Sequence, residues 1–192
     1  MSRRFRQIFV HMLVAVMLTA PGLISRAIAQ GATPVTAPVD VRILAINDFH
    51  GYLRPSPGGI RITDPADKTK KIVVPAGGSE TMATLVKQLR ANRDNTIFVA
   101  AGDLIGASPF LSAMFHDEPS IESLSMMGLE IASVGNHEFD EGKDELLRMQ
   151  NGGCHPVDKC QGPHAFTGAK FHYLAASTVE KATGMPSKVR IS

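Results

Sequence analysis

Short apolar runs, each ending on a polar or glycine-rich cluster, alternate along the chain with segments whose apolar residues recur at helical spacing. Val41 to Ile46 reads as a buried strand that stops at Asn47-Asp48-Phe49-His50-Gly51. Thr96 to Ala101 reads as a second, ending at Gly102-Asp103, and Ile131 to Val134 as a third, ending at Gly135-Asn136-His137-Glu138. Tyr173 to Ala176 makes a fourth. Between them, Met82, Leu85, Val86 and Leu89 predict a helix with Ser79 placed to cap it. Pro119 to Met127 and Gly142 to Gln150 predict two more, and Gly59 to Thr63 can pair with Lys71 to Val74 as a hairpin around Asp64 to Lys70. Strands alternating with helices place the chain in the α/β class, with a mainly parallel sheet and helices on its outer faces. No internal repeat or low-complexity segment interrupts the pattern.

The first thirty residues follow a different logic. Arg3, Arg4 and Arg6 precede an apolar run from Ile8 to Ala20, and the stretch closes on Ala27-Ile28-Ala29, the organisation of a cleavable secretory signal peptide. Pro21-Gly22 interrupts the run before it reaches the roughly 20 apolar residues a membrane span requires, so no stable span is expected after cleavage. The expected layout is therefore a signal peptide over 1–29, a flexible mature start over 30–40 rich in small residues and proline, and a folded domain over 41–192. A periplasmic or secreted location follows.

Cleavage changes the charge. The leader holds four of the 20 Lys+Arg and none of the 18 Asp+Glu, leaving 16 basic against 18 acidic residues in the mature chain. No basic stripe interleaved with aromatics remains, so a nucleic-acid polymer is not the expected partner, whereas a small anion held through metal is compatible with this balance. Export also bears on the two cysteines. Cys154 and Cys160 lie six apart and are expected to form a disulfide in an oxidising compartment. The rival, a metal site from Cys154, His155 and Cys160, lacks the Cys-x2-Cys spacing and second ligand pair of a zinc module.

The candidate chemistry sits where the first three strands end, because loops at the carboxyl edge of a parallel sheet converge. Asp48 and His50, two apart in extended chain, project to one side and can grip one cation, although the pair alone also fits a solvated turn. Asp103 directly follows an apolar strand, where an unpaired carboxylate would be costly and a metal would be a good partner. The Asn136 carbonyl can complete the shell of a hard cation, and His137 beside it can act as acid or electrostatic stabiliser. Asp140, three residues after His137, can hold that imidazole in its charged form or cap a helix.

Leu44 to Gly51, Ala101 to Pro109 and Val134 to Asp140 together resemble the first three metal-binding motifs of bacterial secreted 5′-nucleotidases, in the calcineurin-like metallophosphoesterase superfamily. The resemblance runs from about Val41 to Gly184 and implies an α/β sandwich of mainly parallel sheets with helices outside. It implies that Asp48 and His50 bind a first divalent cation, that Asp103 bridges two, that Asn136 binds the second, and that His137, oriented by Asp140, stabilises the transition state. Zinc, manganese or similar ions would suit such ligands, and the substrate would be a small nucleotide, a nucleoside 5′-monophosphate. Relatives acting on 2′,3′-cyclic nucleotides or nucleotide-sugar pyrophosphates share this front end. The family pattern also includes later histidines in a Gly-His-x-His setting and a C-terminal substrate domain, neither of which follows His172 here. The chain is thus expected to be the N-terminal portion of a truncated domain that holds one ion by itself, with weak or no catalysis as the alternative to full activity. His116, His155, His164 and His172 are assigned surface or loop roles.

Overall fold

The computed structural model describes residues 37–184. The expected signal peptide over 1–29 lies outside the described residues, as do 30–36 of the expected mature start and the tail after Gly184. The chain divides into units Met1–Val39 and Asp40–Ser192, and the architecture below belongs to the second.

Four parallel strands form one sheet. They are β1 (Arg42–Ile46), β4 (Thr96–Ala100), β5 (Ile131–Ser133) and β6 (His172–Leu174), arranged in the order β1-β4-β5-β6. A separate antiparallel hairpin joins β2 (Ile60–Thr63) to β3 (Lys71–Val74), in the predicted place. The helices are α1 (Ser79–Arg90), α2 (Phe110–Ala113), α3 (Glu118–Met126) and α4 (Lys143–Asn151), with one turn of 3-10 helix at His137–Phe139. The short α2 has too few residues to carry a periodic signal, and the apolar spacing does not predict it. The parallel sheet with interleaved helices agrees with the class read from the sequence.

Three local expectations need correction. Ser79 does not cap α1, whose N-cap is Gly78, and the serine hydroxyl instead donates to the Leu53 carbonyl at 3.1 Å. β1 is not buried on both faces: Ile43, 65% exposed, and Ala45 lie on a face that nothing among the described residues covers. The last strand begins one residue early and stops two early, at Leu174, where its pairing with Ser133 ends.

The core fills the space between the sheet and the helices after β4 and β5. Phe98 of β4, Ala132 of β5 and Tyr173 of β6 point into it, against Ile121 and Leu124 of α3, Leu146 and Met149 of α4, and Phe171. Each is almost fully buried. Burial pushes the Tyr173 phenol well above its ordinary pKa, and nearby Glu138 and Asp117 add to the shift. The helices are tied by a buried ionic group: Arg148 of α4 donates to Glu118 of α3 and, through Nε and Nη2, to Glu145, while its guanidinium lies 5.5 Å from the centre of the Phe166 ring. After α4, Cys154 and Cys160 are disulfide-bonded as expected, with Cα atoms 4.5 Å apart.

Candidate active site

The register of the parallel strands carries three polar loops to one edge. Ile46 aligns with Ala100 and Ala100 with Ala132, so the chain leaves β1, β4 and β5 at one level. Beyond the strands, pairing continues between the first two loops. Asp48 N donates to Gly102 O at 3.1 Å, His50 N to Asp103 O at 3.1 Å and Gly51 N to Leu104 O at 3.2 Å. Within this ladder Asp48, His50 and Asp103 all adopt positive φ, at 51°, 44° and 52°. Non-glycine residues rarely occupy that region, and they cluster at functional sites where surrounding bonds enforce it. The result bends the loops so that their side chains meet rather than diverge.

His50, Asp103 and His137 each present a ligand atom within 4.8 Å of the others. The two imidazoles meet edge to face with ring centroids 4.9 Å apart. His50 Nδ1 donates to the Gly106 carbonyl at 2.8 Å, which leaves the Nε2 lone pair available to a cation. Asp48 flanks this nitrogen, its Oδ1 3.7 Å from His50 Nε2, and it also accepts from the Asn47 amide. His137 Nδ1 lies 2.7 Å from Asp140 Oδ2. That hydrogen bond raises the His137 pKa above the ordinary imidazole value, overcoming the smaller opposing effect of desolvation, and Asp140, Asp103 and Glu138 add charge in the same sense. Asn136 is exposed, immediately before the 3-10 turn. The His50 Nε2 and the carboxylates of Asp48 and Asp103 at one rim form a donor set suited to zinc or another first-row divalent ion, with His137 beside it.

A buried carboxylate underlies this rim. Glu138 is 2% exposed and accepts from three backbone N–H groups: Asp103 at 3.0 Å, Leu104 at 2.8 Å and Gly135. It thereby ties the loop after β4 to the loop after β5. Burial raises its pKa while the three N–H bonds act in the other direction. The same junction explains two glycines. A Cβ on Gly135 would lie 2.0 Å from Asp103 Oδ1, and one on Gly102, at φ 98°, would lie 2.6 Å from Gly135 N. Behind it, Asp117 accepts from Gly106 N at 3.0 Å and from the buried Ser112 hydroxyl at 2.6 Å, fixing the loop whose carbonyl orients His50.

Of the residues expected from sequence, His50, Asp103 and His137 converge, Asp48 adjoins them and Asp140 holds His137. Glu138 lies inside the third motif, where sequence reasoning gives it no role; its position three after Gly135, at the mouth of a helical turn, is the available signal. His164 and His172 are exposed as expected. His116 and His155 lie in loops, as expected, but are partly buried: they stack on each other, with centroids 3.7 Å apart, beside Glu141 and Asp158.

Residues 41–176 match the Calcineurin-like phosphoesterase family, and the chain belongs to it. Members of this family use divalent metals. A protein described as "Uncharacterized protein in pqq-V 5'region", from Acinetobacter calcoaceticus, is 44% identical over 144 residues, covering 73% of this chain and 71% of that protein. Endonuclease YhcR of Bacillus subtilis is 37% identical over 154 residues, covering 79% of this chain and 12% of the relative. NAD 5'-nucleotidase of Haemophilus influenzae is 29% identical over 125 residues, covering 65% of this chain and 20% of the relative. The solved structure of Haemophilus influenzae NAD nucleotidase shares the fold, with a TM-score of 0.56 at 24% identity, covering 77% of this chain and 25% of that one. The chain thus spans a quarter or less of these two named enzymes' length.

Proposed function

We propose that this chain contributes an N-terminal, metal-binding portion of an exported hydrolase that removes the phosphate from nucleoside 5′-monophosphates. The observation that carries this reading is the convergence of His50, Asp103 and His137 at the ends of three adjacent parallel strands. In it, Asp48, His50 and Asp103 would hold one divalent cation, and Asp103 and Asn136 would contribute to a second. Such ions, when bound, supply positive charge to a phosphoryl group and lower the pKa of water. The chain's own residues perform the rest. The Gly106 carbonyl keeps His50 in the tautomer with a free Nε2. Asp140 keeps His137 protonated at Nδ1 and turned toward the rim, where its Nε2–H can donate to a phosphoryl oxygen as charge develops there. The leader over 1–29 supports export, and among the described residues no helix is long and apolar enough to cross a membrane.

The test is phosphate release from AMP by the whole gene product, with and without added manganese or zinc, beside 2′,3′-cyclic AMP, a nucleotide sugar and single-stranded DNA. Metal-dependent release from AMP is expected, and Asp103→Asn or His137→Ala is expected to lower it by about 10²-fold or more. The 192-residue chain alone should turn over slowly, since among the described residues this reading assigns a second cation only Asp103 and Asn136. Cleavage of the cyclic nucleotide, nucleotide sugar or DNA with AMP untouched would replace this substrate assignment.

A further inference from the structure

We propose that His116, His155 and Glu141 form a second divalent-metal site, separate from the strand-end site, which fastens the disulfide loop to the turn between α2 and α3. Three segments distant in sequence supply the ligands. His116 lies in that turn at φ 50°, Glu141 follows the 3-10 helix, and His155 lies inside the loop closed by Cys154 and Cys160. Together with Glu145, these residues each offer one ligand atom, all within 4.8 Å of one another. The His116 and His155 side chains are only 18% and 13% exposed.

The positions of the two carboxylates separate an inner shell from an outer one. On one edge of the stacked rings, Glu141 Oε2 lies 3.1 Å from His116 Nδ1 and 4.0 Å from His155 Nε2. These separations bracket the roughly 3.4 Å between donors around a tetrahedral zinc with bonds of about 2.1 Å. On the opposite edge, Asp158 Oδ2 lies 2.9 Å from His116 Nε2 and 3.4 Å from His155 Nδ1. A single carboxylate hydrogen-bonded to His116 Nε2 and lying beside His155 Nδ1, on the edge away from Glu141, is placed to orient both rings from an outer shell. The backbone N–H of Asp158, 3.1 Å from His155 Nδ1, favours the other tautomer of that ring, so loading requires the proton of His155 to move to Nδ1. The ring planes lie 12° from parallel and must splay for both lone pairs to reach one ion. Glu145 is bound by Arg148 through two nitrogens, so it borders the site and is not its primary ligand.

Two stacked imidazoles that both carried protons would repel each other. One divalent ion on the Glu141 edge balances the carboxylates without that repulsion.

The experiment strips the full chain with chelator and titrates it with zinc alone, counting zinc retained per chain and reading the visible spectrum after cobalt substitution. Asp103→Asn, which disables the strand-end site, should retain about one zinc, and adding His116→Asn with His155→Asn should remove it. Unchanged zinc content and affinity in the His116→Asn/His155→Asn chain would overturn the site, as would loss of all zinc in Asp103→Asn. Should the double variant fail to fold by circular dichroism, Glu141→Gln in the Asp103→Asn background decides. A rise in zinc Kd of about tenfold or more supports the site, and an unchanged Kd overturns it.

Discussion

At the residue scale, the acceptor geometry of Glu138 gives the sharpest prediction. Its carboxylate accepts three backbone N–H groups while almost completely buried. Glu138→Gln keeps the shape but turns an NH2 toward donors, leaving at least one buried N–H unmatched. Denaturant unfolding should show a loss of about 2–3 kcal/mol. Tyr173→Phe is the contrasting case, since the phenol is fully buried and has no hydrogen-bond partner among the described residues. Its midpoint should stay or rise. For His137, NMR titration of the metal-free chain should give a pKa above the ordinary imidazole value, falling in Asp140→Asn. The sign follows from the direction of that shift. A raised native pKa favours folding below the unfolded imidazole pKa, and the benefit disappears as pH rises through the native one. Asp48, His50 and Asp103 are legible in the sequence because they follow the ends of successive apolar strands, which in a parallel sheet bring their loops together. Glu138 is not, because the sequence shows a glutamate's position but not which N–H groups will face it.

At the element scale, α3 and α4 are joined by Arg148 between Glu118 and Glu145. Arg148→Leu leaves two carboxylates buried without a counter-charge, and a loss of about 3–5 kcal/mol in thermal or denaturant unfolding is expected. The disulfide is a smaller contributor. Closing so short a loop adds about 2 kcal/mol on the chain-entropy estimate, which Cys160→Ser should remove; alkylation without reductant should label neither cysteine of the parent. Periodicity locates α1, α3 and α4 because their apolar spacing is helical. It misjudges the start of α1, because Gly78, with φ 82°, supplies the turn that a serine hydroxyl would otherwise stabilise. It also has no means to pair His116 with His155, which are far apart in the chain and meet only because the disulfide loop folds back over the α2–α3 turn.

At the scale of the whole molecule, β1 stands at the sheet edge among the described residues, with Ile43 exposed in it and Val41 exposed just before it. An apolar edge strand is a template for pairing with other chains. Ile43→Lys should lower light scattering at high protein concentration while changing unfolding by no more than about 0.5 kcal/mol. The parallel arrangement is legible from alternation of strands and helices. The exposed face is not, because an apolar run reports a tendency to be covered and not what is present to cover it.

The strand order also sets a timetable. Ile43 pairs with Ile97, far along the chain, and among the described residues β1 has no other strand beside it. A chain emerging from the ribosome therefore carries Asp48 and His50 long before it contains the strand that bends them into place, and Glu138 arrives later still. Closing so long a loop is slow compared with forming the β2–β3 hairpin or α1 on the way. The first two proposed ligands to be synthesised would thus be among the last to be positioned. Pulsed hydrogen exchange during refolding should show amides of α1 protected before those of Leu44 and Ala45; simultaneous protection would mean that the sheet forms in one step.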